Sequence, residues 1–245
     1  MSLRIGVIGA GVMGSGIAQA LATGGHPTVC YDVAADALDR AREQVRSGRW
    51  GVEGAVAKGK LDREQAEAAL ARLRFTGDLA EAASADLVVE CVPERLDLKL
   101  RVFRDLDRRA PAGAILASNS SGFPIAALAG ATDRPERVLG WHWASPPVIM
   151  RFAEIVVTPV TDPAATACVE QVARACGKHP VVVKDAPMAW GYVANRIYFA
   201  MLREAQRVVD EGVATPEQVN QLMVDCYRWP VGPFAMVKGA AKGWQ

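Results

Sequence analysis

The sequence predicts an α/β fold: a doubly wound sheet followed by a smaller all-helical segment. Three observations carry this. Residues 5–32 read as a short apolar run, a glycine-rich turn, a helical stretch, a second apolar run and a closing acid. Apolar runs then alternate with helical stretches through most of the 245 residues. From Ala194 onward that alternation stops, and Ile197, Met201, Leu202, Ala205, Val208 and Val209 recur at helical spacing. The change in pattern places a domain of residues 1–185 before a helical domain of residues 186–245.

The elements follow in order. Ile5, Val7 and Ile8 form the first strand, and a helix follows the turn. After Asp32 a helix is expected over 34–45, then a Gly- and Lys-containing bend over 48–60. Asp62 with Gln65 three positions on is a capping-box start for the next helix. A short strand is expected at 74–76, a buried strand at 87–92, a helix at 95–109, a strand at 114–118 and a short helix at 124–129. Strands at 138–143 and 155–158 come next. Asp162-Pro163 supplies a cap and an N1 proline for a further helix. The last strand is 180–184, and Thr215-Pro216-Glu217-Gln218 opens a helix with a second capping box.

The glycine-rich turn names a cofactor. Gly9 allows the chain to turn sharply off the first strand. Gly11, lacking Cβ, lets the backbone approach a pyrophosphate, and Gly14 lets the helix pack against the strand. The anion would rest on the backbone around Val12 and Met13, where free N–H groups and the helix dipole favour negative charge. Asp32 stands where an acid accepts from both hydroxyls of an adenosine ribose and repels a 2′-phosphate. This is a Rossmann-type pattern, and NAD is expected rather than NADP.

Composition excludes other classes. A net charge of +1 without a basic stripe gives no basis for nucleic acid or an anionic membrane as partner. No apolar run reaches the ~20 residues that span a bilayer. The first strand begins almost at once, so no signal or transit peptide is expected. Cys30, Cys91, Cys168, Cys176 and Cys226 are scattered without a CxxC pair, which reads as reduced core thiols of a cytoplasmic protein. Three histidines without an HExxH pattern leave no metal site expected.

A candidate base lies in the run 138–157, VLGWHWASPPVIMRFAEIVV. Two strands joined through Ser145-Pro146-Pro147 would bring His142 to Glu154. A carboxylate accepting the Nδ1 proton would fix the tautomer and leave Nε2 free to take a substrate proton. Taken alone, a histidine between Trp141 and Trp143 is more often a packed core histidine than a base, and Glu154 reads as a solvated edge residue.

Further segments sharpen that reading. The glycine turn, DLVVECVPE (86–94), SNSSGFPI (118–125), RPERVLGWHW (134–143), AEIV (153–156), GKHPVVVKDAP (177–187), GYVANR (191–196) and WPVGPF (229–234) occur in that order. Together they resemble the NAD-dependent 3-hydroxyacyl-CoA dehydrogenases over nearly the whole chain. The resemblance implies that His142 is the catalytic base and Glu154 its orienting acid. It implies that Asn195 contacts substrate and that Ser121 helps to hold substrate and nicotinamide. Glu94 and Lys99 match residues that help to place the cofactor; Lys99 reads equally as part of a solvated helix face. The implied reaction is oxidation of the 3-hydroxyl of a 3-hydroxyacyl-CoA, a small-molecule thioester, to the ketone.

Three departures from the family pattern fall on the substrate side. Ser145 replaces an asparagine near the nicotinamide. Met188-Ala189-Trp190 separates Pro187 from Gly191. The chain ends at Gln245, where family members continue through further helices. A free hydroxy acid or other small alcohol without CoA is therefore the first alternative substrate. The second alternative is a structural protein that binds NAD with little catalysis. Apolar faces left open in a short helical domain lead to the expectation of a homodimer. The basic residues Arg46, Arg49, Lys58 and Lys60 read as CoA-phosphate contacts or as an exposed helix and bend.

Overall fold

The computed structural model describes residues 2–186 and 189–241. It falls into two compact units, Met1–Tyr192 and Val193–Gln245. The division comes after Tyr192 rather than after 185, because the stretch beyond the last strand is anchored to the first unit. There Gly191 N–H bonds Gly122 O at 3.3 Å, and the buried Tyr192 hydroxyl donates to Phe123 O at 2.8 Å.

The first unit is an eight-stranded sheet. Its strands are β1 (Ile5–Ile8), β2 (Thr28–Tyr31), β3 (Leu73–Thr76), β4 (Leu87–Glu90), β5 (Ile115–Ser118), β6 (Val138–Trp143), β7 (Phe152–Val157) and β8 (His179–Lys184). They lie in the order β3-β2-β1-β4-β5-β6-β7-β8. Every neighbouring pair is parallel except β6 with β7. The helices are α1 (Val12–Thr23), α2 (Ala35–Arg46), α3 (Val52–Ala57), α4 (Arg63–Arg72), α5 (Leu79–Ala83), α6 (Leu96–Arg109), α7 (Ile125–Ala129) and α8 (Pro163–Ala175).

Strand alternation distributes the core to both faces of this sheet. Leu87, Val89, Ala117, Leu139 and Trp141 join Ile17 and Leu21 of α1 and Val169 of α8 on one side. Val88, Leu116, Val138 and Val156 meet Phe103 and Leu106 of α6 and Leu128 of α7 on the other. Helices on both faces of a mostly parallel sheet are the doubly wound arrangement that the sequence predicts.

Several elements differ from expectation for local reasons. The stretch 48–60 is not all bend: α3 forms inside it and buries Val52 to 1% exposure. The unexpected α5 is a single turn started by Asp78, whose side chain accepts from Ala80 N–H at 2.9 Å. Strand β4 stops at Glu90, because the Glu90 carboxylate takes the Val92 N–H at 2.7 Å and turns the chain. Strand β7 begins at Phe152, three positions before expectation, and so includes Glu154. Both capping boxes form, at Asp62 with Gln65 and at Thr215 with Gln218, and Asp162 caps α8.

The second unit consists, among the described residues, of α9 (Val193–Asp210), α10 (Pro216–Tyr227) and α11 (Pro233–Ala241). Asn220 Oδ1 accepts from Phe234 N–H at 2.9 Å and fixes the start of α11 on α10. Ile197, Leu222 and Tyr227 are each more than 60% exposed in the single chain.

Candidate active site

In a doubly wound sheet the carboxyl ends of the parallel strands share one edge, and ligands bind where the strand order reverses. Here that reversal lies between β1 and β4. Gly9 follows β1, Asp32 follows β2, Glu94 lies beyond β4, Ser121 follows β5, and His142 stands near the end of β6. One topological rule therefore collects residues spread over more than a hundred positions.

The turn after β1 fits a dinucleotide. Gly9 has φ +107°, a left-handed conformation that a side chain would strain. A Cβ on Gly14 would lie 1.7 Å from Gly9 O, so only glycine allows α1 this close to the turn. A Cβ on Gly11 would meet no protein atom within 4 Å; the space beyond it is open. No side chain caps α1, Val12 is exposed and Met13 half-buried, which leaves the first N–H groups of the helix facing that space. Asp32 is oriented by two backbone donors, Ala10 N–H at 2.8 Å and Ala34 N–H at 3.0 Å, with lone pairs to spare for ribose hydroxyls. These features fit NAD.

The His–Glu pair comes from the antiparallel pair. His142 and Glu154 are direct register partners on β6 and β7. His142 Nδ1 lies 2.8 Å from Glu154 Oε2, and the two side chains are 8% and 5% exposed. A carboxylate there selects the Nδ1–H tautomer and leaves Nε2 as the basic nitrogen. The imidazole also meets Phe152 edge-on at 5.2 Å and Tyr192 at 5.8 Å. Trp141 and Trp143 alternate to the opposite face and join the core there, while His142, also buried, faces the side of Phe152 and Tyr192.

The connection between β6 and β7 is pinned. Buried Lys178 donates to Met150 O at 2.7 Å and to Pro147 O, and its ammonium lies 5.0 Å from the Trp143 ring. Burial holds the Lys178 pKa below its usual value. Trp143 N–H donates to Asn119 Oδ1 at 2.9 Å, tying the end of β6 to the serine turn after β5.

That turn is organised by Glu94. Its Oε1 accepts from Ser120 Oγ at 2.5 Å and from Ser121 N–H at 3.0 Å. Ser120 Oγ in turn accepts from Gly122 and Phe123 N–H groups. Behind Glu94 lies a buried ion pair. Lys99 Nζ reaches Glu90 Oε1 at 2.8 Å, Glu90 Oε2 at 3.0 Å and Glu94 Oε2 at 3.2 Å. Burial would lower the Lys99 pKa, but Glu90 and Glu94 outweigh it and hold the ammonium above its usual value. Burial pushes Glu90 up against the pull of Lys99, Ser118 and the Val92 N–H. Lys99 is thus neither on a solvated helix face nor open to a ligand: at 1% exposure it reaches the crevice only through Glu94.

Of the expected residues, the structure joins His142 with Glu154 and Ser121 with Glu94 and Lys99. Asn195 lies on α9 in the second compact unit. Met188 of the expected insertion lies outside the described residues; Ala189 N–H bonds Ala186 O at 3.1 Å, and the Trp190 ring abuts Gly122. Glu90, Asn119, Tyr192 and Lys178 were not singled out in the sequence. Glu90 left a signal there, a lone charge inside the apolar run LVVECV.

A glycine turn shaped for a dinucleotide, an acid after β2 and a paired imidazole at one sheet edge fit an NAD-dependent dehydrogenase. The family description "3-hydroxyacyl-CoA dehydrogenase, NAD binding domain" matches residues 4–186, and its C-terminal domain matches residues 191–242. The chain belongs to the 3-hydroxyacyl-CoA dehydrogenase family and acts on a CH–OH group with NAD. It is 36% identical to a probable 3-hydroxybutyryl-CoA dehydrogenase of Bacillus subtilis, covering 95% of this chain and 79% of that one. It is 39% identical to 5-formyl-3-hydroxy-2-methylpyridine 4-carboxylate 5-dehydrogenase of Mesorhizobium japonicum, covering 95% and 72%. The solved (S)-3-hydroxybutyryl-CoA dehydrogenase of Ralstonia eutropha superposes with a TM-score of 0.90 at 33% identity, covering 95% and 80%.

Proposed function

We propose that this enzyme oxidises the 3-hydroxyl of a 3-hydroxyacyl-CoA to the 3-ketone, with His142 as general base and Glu154 as its orienting acid. The observation that carries the proposal is the buried 2.8 Å contact between Nδ1 and Glu154 Oε2. NAD, when bound, supplies the acceptor for the hydride from C3. His142 Nε2 takes the hydroxyl proton as that hydride leaves, so the alcohol loses both and becomes the ketone. Glu154 stabilises the imidazolium that forms. Ser121 aligns the reacting oxygen, and Glu94 holds the serine turn in place. A general base of this kind contributes about 10²–10⁴-fold.

A non-CoA alcohol is the second reading. The relative named for a pyridine carboxylate is 39% identical, and Ser145 stands where the family has asparagine. An NADH-linked screen of 3-hydroxybutyryl-CoA against free hydroxy acids and pyridine alcohols separates the two. Turnover confined to the thioester supports the first; turnover confined to the free alcohols replaces it.

No helix among the described residues is long and apolar enough to cross a membrane. The five free cysteines support a cytoplasmic setting, and the exposed Ile197, Leu222 and Tyr227 support a homodimer. A monomer in sedimentation at micromolar concentration would sink the dimer.

A further inference from the structure

Glu154 fixes the His142 ring at one nitrogen, which leaves the ring free to tilt about that contact. Two aromatic side chains restrict the tilt. Phe152 lies on β7 two positions before Glu154 and meets the imidazole at 87°. Tyr192 meets it at 61° with centroids 5.8 Å apart. Tyr192 is 4% exposed, and its hydroxyl donates to Phe123 O at 2.8 Å. Phe123 belongs to the turn that Ser120 closes and Glu94 holds. Tyr192 therefore touches the imidazole with its ring and the serine turn with its hydroxyl. The next residue in the chain, Val193, begins α9 of the second unit.

We propose that Tyr192 is a positioning residue that sets the His142 ring against the serine turn, so that Nε2 and Ser121 address the same substrate oxygen. This rests on the reading of His142 as base. The phenol does not exchange protons in the reaction: burial pushes its pKa far up, only partly offset by Ser120, so it stays a neutral donor to Phe123 O. A tyrosine ring with one end packed on an imidazole and the other hydrogen-bonded fixes both orientation and spacing. A displacement on the order of 1 Å in such a geometry costs roughly 10²-fold in rate.

The test uses Tyr192→Phe and Tyr192→Leu in the full chain. With 3-hydroxybutyryl-CoA and its C3-deuterated form, Tyr192→Leu is expected to lower kcat by roughly 10²-fold and to raise the deuterium isotope effect. KM and NADH affinity should stay at wild-type values. Tyr192→Phe keeps the ring but loses the bond to Phe123 O, so its kcat should lie between about threefold and tenfold below wild type. The downfield Nδ1 proton resonance of His142 gives a readout without substrate: sharp in wild type, broadened in Tyr192→Leu. Should the thioester not turn over in wild type, the proposed function fails while the resonance still decides the role of Tyr192. Wild-type kcat and resonance in Tyr192→Leu, or a loss confined to NADH affinity, would overturn the proposal. If Tyr192→Leu does not fold, Tyr192→Phe decides: a kcat and isotope effect equal to wild type would overturn it.

Discussion

His142 and Glu154 face each other across the antiparallel β6–β7 pair, and that register brings Nδ1 to 2.8 Å from Oε2. Glu154→Gln keeps the size and removes the charge that stabilises an imidazolium. It should lower kcat by about 10²-fold or more while NADH affinity, read by fluorescence, stays unchanged. Equal turnover in the variant would show that the carboxylate does not serve the base.

Gly11 and Gly14 separate binding from folding. Gly14→Ala drives a Cβ to 1.7 Å from Gly9 O, so it should destabilise the protein by about 1–3 kcal/mol or more and weaken NADH. Gly11→Ala meets no protein atom and has an extended backbone that alanine adopts, so stability should change by less than about 0.5 kcal/mol. NADH affinity should nonetheless fall at least about tenfold, near 1.4 kcal/mol. Melting curves beside NADH titrations check both.

Asp32 predicts cofactor choice. Asp32→Asn keeps an acceptor for the ribose but removes the charge that repels a 2′-phosphate. The NAD-to-NADP ratio of kcat/KM should fall at least about tenfold. An unchanged ratio would place the discrimination elsewhere.

The part of the site legible in the sequence is the part set by local chemistry. The glycine turn, Asp32 and the caps at Asp62, Asp162 and Thr215 each answer a backbone demand within a few residues. His142 and Glu154 needed only the alternation of two adjacent strands. What was not legible depends on distant segments. Lys99 reads as an ordinary helix residue until α6 lies over β4 and Glu90. Tyr192 reads as the start of a helical segment, yet its partners Phe123 and His142 are 69 and 50 positions away.

The Glu90–Lys99 pair makes a stability prediction. Lys99→Met takes the cation from a buried carboxyl that burial already pushes toward protonation, so Glu90 must hold an unpaired charge or take a proton, and stability should fall by about 3–5 kcal/mol. Denaturant melts check this. The double variant Glu90→Gln/Lys99→Met should recover part of the loss, because no isolated charge remains.

His26 gives a pH dependence. Its Nδ1 accepts from Leu3 N–H at 3.3 Å, its Nε2 is buried without a partner among the described residues, and burial lowers its pKa. The folded pKa lies below the unfolded value of about 6.5, so protons favour the unfolded chain. This contribution is full above about pH 6.5 and is lost as pH falls through the folded pKa. Between about pH 7.5 and 5.5, wild type should lose more Tm than His26→Gln. Equal losses would exclude His26 as a source.

The kcat of His142→Gln for NAD-dependent oxidation of 3-hydroxybutyryl-CoA decides whether this imidazole is the base. A loss of about 10²–10⁴-fold with unchanged NADH affinity is the predicted result. Turnover within about threefold of a wild type active on that substrate would contradict it, because a general base should contribute far more.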